Sequence, residues 1–188
     1  MKYAQAFDLK CHAVINEYFS EKANNIDGDL WQSFPIDDFD QHIRDLFDAE
    51  MVERGVPKSY SWMIFKKKGY PLEDPATTHV DTVNEIARVS IVIPLMGCEE
   101  THMYWCEGEH TITQVPKHKE EMTYGVPVWE DISKVKIVHR EFINSPTICR
   151  VDVPHNTVTR ADDSYRIVIT TRFQNNPTFE EVCEKLGK

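Results

Sequence analysis

Between residues 58 and 175 the apolar side chains fall in short runs rich in Val, Ile, Thr and aromatic residues, each cut off by Gly, Pro or a cluster of charges. Such runs predict strands, because branched and aromatic side chains suit a pleated surface and alternate between its two faces. The first is Ser59-Tyr60-Ser61-Trp62-Met63-Ile64-Phe65, with Lys66-Lys67-Lys68-Gly69-Tyr70-Pro71 expected to end it as a solvated turn. Ala87 to Leu95 is the strongest, and Gly97-Cys98-Glu99-Glu100 turns it into Thr101-His102-Met103-Tyr104-Trp105-Cys106. Val135 to Ile143, Thr147 to Val153 and Tyr165 to Phe173 complete the set. Many short strands joined by polar turns predict a mainly β chain folded as a double-sheet jelly roll.

Residues 1–57 follow a different period. Phe7, Cys11, Ile15 and Phe19 recur at every fourth position, which predicts a helix up to Ser20, and Asn24-Asn25-Ile26-Asp27-Gly28-Asp29 predicts a turn. Phe39, Ile43, Leu46, Phe47 and Met51 form a second helical stripe, with Asp37 or Asp38 as its cap and Gly55 and Pro57 as its stop. Both stripes are expected to pack on the sheet. Near the other end Thr178 and Glu181 make a capping box for a short helix that Gly187 ends. The expected organisation is one domain over residues 1–188: a helical preface (1–57), a jelly-roll core (58–175) and a C-terminal helix (176–188).

The formal net charge of −10 argues against nucleic acid as a partner, since such a surface repels phosphate. The first residues, Met1 to Asp8, contain no apolar signal region, and the longest apolar run, Val89 to Met96, is too short to cross a bilayer. Five cysteines without a Cys-x-x-Cys pair suit reduced thiols. A cytoplasmic protein is the expectation.

The chemistry concentrates at Thr77-Thr78-His79-Val80-Asp81. In a strand His79 and Asp81 share a face and can bind one metal ion from one side. A lone His-x-Asp carries little weight in a chain with 8 histidines and 31 acidic residues. The weight comes from two distant partners. His155 follows the β-rich run from Thr147 to Pro154 and can supply a third ligand if the two strands face each other. Two histidines and a carboxylate on one face leave the opposite positions open, as in non-haem Fe(II) oxygenases. Arg166, on the strand after it, carries a planar fork that can hold a carboxylate bidentately. Two rival tripeptides, His118-Lys119-Glu120 and His139-Arg140-Glu141, are less suited: the first has no strand pattern, and the second stands only about one hairpin before His155.

From His79 to Phe173 the chain resembles the Fe(II)/2-oxoglutarate-dependent dioxygenases, in which His-x-Asp, a distal His and a following Arg recur on core strands. Arg88-Val89-Ser90-Ile91-Val92-Ile93-Pro94-Leu95, Val153-Pro154-His155-Asn156-Thr157-Val158 and Arg166-Ile167-Val168-Ile169 look most like the aspartyl/asparaginyl β-hydroxylase and free-proline hydroxylase branches. The resemblance implies a double-stranded β-helix of cupin-like form, with His79, Asp81 and His155 as iron ligands. It also implies Arg166 and Arg88 as residues holding 2-oxoglutarate, and an amino acid, free or in a peptide, as substrate. Two departures stand out. The β-hydroxylase branch proper lacks the carboxylate ligand that Asp81 would provide. The hydroxyl that usually follows the arginine is missing from Arg166-Ile167-Val168, and Thr170 is the candidate to replace it. Residues 107–133, with Gly108, Pro116, Gly125 and Pro127, are expected to form a long loop in which Tyr124 to Trp129 covers the site. The alternatives are a cupin-like metal protein, whose usual His-x-His is absent, and a jelly roll that binds without turnover.

Overall fold

The computed structural model describes residues 1–23, 31–35, 41–83, 85–116, 123–162 and 164–187. Its larger layer is a six-stranded antiparallel sheet in the order β1 (Ala4–Ala6), β11 (Thr147–Arg150), β6 (Val89–Met96), β13 (Arg166–Phe173), β3 (Ser59–Lys67) and β2 (Trp31–Pro35). A second layer has two parts. One is β10 (Lys136–Phe142), β7 (His102–Glu107) and β12 (His155–Val158); the other is β5 (Glu85–Ile86), β4 (Val80–Val83), β9 (Thr123–Trp129) and β8 (His110–Pro116). A backbone bridge between His79 and His155 joins the two parts. The chain moves repeatedly between the layers, from β3 to β4, β6 to β7, β11 to β12 and on to β13. The result is a mainly β domain of antiparallel sheets with few short helices, consistent with a jelly roll; among the described residues the sheets do not close into a barrel.

Period-two alternation divides the core in two. On β6 and β13, Val89, Ile91, Ile93, Ile167, Ile169 and Phe173 point away from the second layer. They meet Ile15 and Phe19 of α1 (His12–Ala23), Ile43, Phe47 and Met51 of α2 (Gln41–Glu53), and Phe179, Val182 and Leu186 of α3 (Phe179–Leu186). Helices of 8 to 13 residues are marginal alone, so this shared apolar face is what holds them. Each buried side chain of this size contributes roughly 1.5–3 kcal/mol. The expected capping box is present on α3: Thr178 N–H donates to Glu181 Oε2 (2.7 Å) and Glu181 N–H to Thr178 Oγ1 (3.2 Å). The opposite faces of β6 and β13 send Val92 and Val168 inward, beside Cys149 of β11, against Met103 and Trp105 of β7. Among the described residues no helix is long and apolar enough to cross a membrane.

Three sequence expectations change. The preface is not purely helical: β1 pairs with β11, Ala4 opposite Cys149, and β2 pairs with β3, so Phe7 precedes the first helix rather than belonging to it. The predicted turn at 24–29 and the caps Asp37 and Asp38 lie outside the described residues. The lysine triplet does not end β3 in solvent, since Lys66 and Lys67 continue the strand and are each 8% exposed. Residues 107–133 are not a long loop but carry the β8–β9 hairpin, with His110 opposite Trp129. Its Gly and Pro have strand roles. Gly125 lies opposite Val80, and a Cβ there would stand 2.4 Å from Val80 Cγ2 and 2.7 Å from Ile112 Cγ2. Pro127 lies beyond the residues of β9 that pair with β4 and stands opposite Ile112 of β8.

Gly125→Ala is therefore expected to overpack the β4–β9 junction and lower unfolding free energy by about 1–3 kcal/mol in urea denaturation. An unchanged midpoint would contradict this packing.

Candidate metal centre

A turn at Pro75–Thr77, capped by Asp74 Oδ1 accepting from Ala76 N–H (2.9 Å), delivers the chain to β4. His79 stands just before that strand and exchanges two backbone hydrogen bonds with His155, the first residue of β12 (His79 N–H to His155 O 3.0 Å, His155 N–H to His79 O 2.9 Å). Residues 151–154 leave the larger sheet, so His155 opens a strand in the other layer instead of closing the run before it. Directly opposed residues project to one face, and Asp81 is two positions from His79, so the three side chains converge. The imidazole centroids are 4.6 Å apart. Asp81 Oδ1 is 3.5 Å from His79 Nε2, and Asp81 Oδ2 is 3.9 Å from His155 Nε2. One donor atom from each residue lies within 4.8 Å of the others. Two imidazoles and a carboxylate on one side of a common point form a facial triad suited to Fe(II). The rival His139 lies on β10 and pairs with Glu141 (3.2 Å). His118 is outside the described residues.

Protonation suits a metal. Burial, and then the neighbouring His79, push the His155 imidazole down to about 4. Its Nδ1–H donates to Val153 O (2.8 Å), which leaves the Nε2 lone pair aimed at the triad. Burial works against a charge on Asp81, but Arg172 beside it, followed by His79 and His155, holds the carboxyl well below the usual carboxylate range. Arg172 Nη2 donates to Asp81 Oδ2, and its Nη1 donates to Ser90 Oγ (2.6 Å) and Thr171 O (2.9 Å).

Behind the triad lies a cavity of about 80 Å³ between the layers. Val92, Met103, Val151 and Val168 supply its apolar wall, while Arg166, Thr170 and Arg172 enter from one face of β13. Arg166 Nε and Thr170 Oγ1 are buried without a hydrogen-bond partner. Orphaned donors of this kind, in a cavity with an arginine, fit an anionic oxygen-rich ligand. The expected residues His79, Asp81, His155, Arg166 and Thr170 are thus brought to one cavity. Arg88 is not. It stands one residue before β6, exposed at the end of that central strand, where its charge acts on Asp152 and Glu181; Ser90 is the residue that this strand gives to the cavity. Trp129 likewise packs on the outer face of the second layer with Tyr104 and Cys106 and donates through Nε1 to Pro75 O (3.1 Å), rather than covering the site. Arg172 and Lys67 went unread in the sequence. Arg172 was within reach, since 166, 168, 170 and 172 share one strand face.

No protein-family model matches the chain, and no curated protein matches it significantly. Among solved structures it is similar to ycfD of E. coli, at 12% identity and a TM-score of 0.44 over 80% of this chain and 36% of that one. It is also similar to AviO1 of Streptomyces viridochromogenes Tue57, at 15% identity and a TM-score of 0.41 over 93% of this chain and 91% of that one. The chain spans only about a third of the length of ycfD. At such low likeness the chain's own residues have to carry any functional conclusion.

Arg172→Met leaves the Asp81 carboxylate buried without its cation and is expected to cost about 3 kcal/mol at pH 7 in urea unfolding. The Asp81 pKa is depressed in the folded state, so its stabilisation is complete above the unfolded value of about 3.9 and is lost as pH falls below it. The variant's deficit should therefore shrink in the acid range below about pH 4. A deficit constant with pH would assign Arg172 a packing role alone.

Proposed function

We propose that the chain is an Fe(II)- and 2-oxoglutarate-dependent dioxygenase on a double-stranded β-helix, hydroxylating an amino-acid side chain, free or in a peptide. One observation carries this reading: a His79–Asp81–His155 triad opens onto the same cavity in which Arg166 Nε and Thr170 Oγ1 are left unpartnered. His79, Asp81 and His155 would hold Fe(II) from one side. Arg166, with Thr170 two pleat repeats further along the same face, would take the carboxylate of 2-oxoglutarate remote from the metal. The amino-acid substrate follows from the resemblance of the strands around Arg88, His155 and Arg166.

When bound, iron and 2-oxoglutarate supply the oxidising chemistry: one atom of O₂ converts the 2-oxo acid to succinate with loss of CO₂, and the other enters a substrate C–H bond. The contribution of the chain is positional. The Val153 carbonyl fixes the His155 tautomer so that Nε2 stays free for the metal. Arg172 holds one side of Asp81 while Oδ1 remains toward His79. The apolar wall of Val92, Met103, Val151 and Val168 keeps bulk water from the reacting centre.

Anaerobic calorimetry on the metal-free protein tests these roles separately. Wild type is expected to take up one equivalent of Fe(II), and His155→Ala to lose that binding. Arg166→Ala should retain iron while its 2-oxoglutarate affinity falls by about 100-fold, the loss typical of a buried charge pair. Iron binding that survives in His155→Ala, or equal 2-oxoglutarate affinity in Arg166→Ala, would reject the assignment.

A further inference from the structure

On the larger sheet Arg166 of β13 stands directly opposite Lys67 of β3, and both line the cavity. They are 4% and 8% exposed. Like charges facing each other across a ladder repel, and burial adds the cost of lost hydration. Among the described residues that line the cavity the one acid is Asp81, which Arg172 engages. The described partners of Lys67 are neutral: Nζ donates to Asn156 Oδ1 (2.8 Å) and Thr157 O (3.1 Å) and lies 4.2 Å from the Tyr70 ring centroid. Asn156 is itself held in place, because its Nδ2 donates to Thr77 O (2.9 Å) and Thr77 Oγ1 (2.8 Å), which turns Oδ1 toward the lysine. The fold therefore keeps two buried cations side by side at a cavity wall, one of them with an orphaned donor.

We propose that Lys67 and Arg166 form a two-point clamp on the remote carboxylate of the 2-oxo acid, making Lys67 a second cationic binding residue that helps select a dicarboxylate over a monocarboxylate. This inference rests on the oxygenase reading above and adds to it a residue on a different strand. The state of the lysine is in keeping with it: burial, and then Arg166, push the ammonium down to about 7, and an anion set between the two would help it keep its proton.

The test is anaerobic calorimetry on the iron-loaded protein with 2-oxoglutarate and with 2-oxopentanoate, which has the same carbon chain without the second carboxylate. Wild type is expected to prefer 2-oxoglutarate by about 100-fold or more. Lys67→Met should cut that preference by about tenfold by weakening 2-oxoglutarate alone, and Lys67→Arg should keep most of it. Without any 2-oxo acid, Lys67→Met should also melt above wild type, because one of two like charges is gone and Asn156 Oδ1 keeps its bond from Thr157 N–H (2.8 Å). An unchanged preference in Lys67→Met overturns the clamp. So does an equal loss for both acids, which would mean that Lys67 only holds Asn156, and so does a lower melting temperature. Wild-type protein that binds iron and neither acid would remove the oxygenase reading and the clamp together; a wild type that binds 2-oxoglutarate with no effect of Lys67→Met would remove the clamp alone.

Discussion

The paired backbones of His79 and His155 are the contact on which the rest of the arrangement depends. Two hydrogen bonds fasten the start of one strand to the start of another, and in doing so they join the two parts of the second layer. The same contact sets two imidazoles on one face with their rings 4.6 Å apart. A slip of one residue would turn one of them to the opposite face, since side chains alternate along a strand. Fold register and ligand geometry are therefore one constraint. Asp81 joins the pair at no extra topological cost, two positions along the same segment.

β13 carries the second half of the design. Ile167, Ile169 and Phe173 anchor the three helices on one side of the sheet, and Arg166, Thr170 and Arg172 reach the cavity on the other. Among the described residues the helices do not line the cavity, but they hold the strand that does. The apolar half of the strand offsets the cost of its charged half. Two arginines and a lysine face a cavity with a single carboxylate, an arrangement that a chain selected for stability alone would not keep.

Much of the site was legible because strand periodicity is a local property. His79 and Asp81, or Arg166 and Thr170, share a face by spacing alone, and the same count extends to Arg172. What was not legible depended on partners far away in sequence. Lys67 sits in a lysine triplet that by composition belongs in solvent, and only its register opposite Arg166 shows otherwise. Arg88 has the parity of Ser90 but lies exposed beyond the strand end, outside the cavity. Ala4-Gln5-Ala6 has no β pattern of its own and becomes a strand through β11. Gly125 and Pro127 looked like loop residues, yet one admits the close approach of β4 and the other sits within the β8–β9 ladder opposite Ile112.

The most direct test of the account is an anaerobic titration of the iron-loaded protein with 2-oxoglutarate, followed by visible absorption. The account predicts a charge-transfer band as the 2-oxo acid chelates the metal, and its loss with release of succinate when oxygen is admitted. Stoichiometric iron binding with no band at saturating 2-oxoglutarate would contradict it, because the triad would then hold a metal that the cavity behind it does not serve.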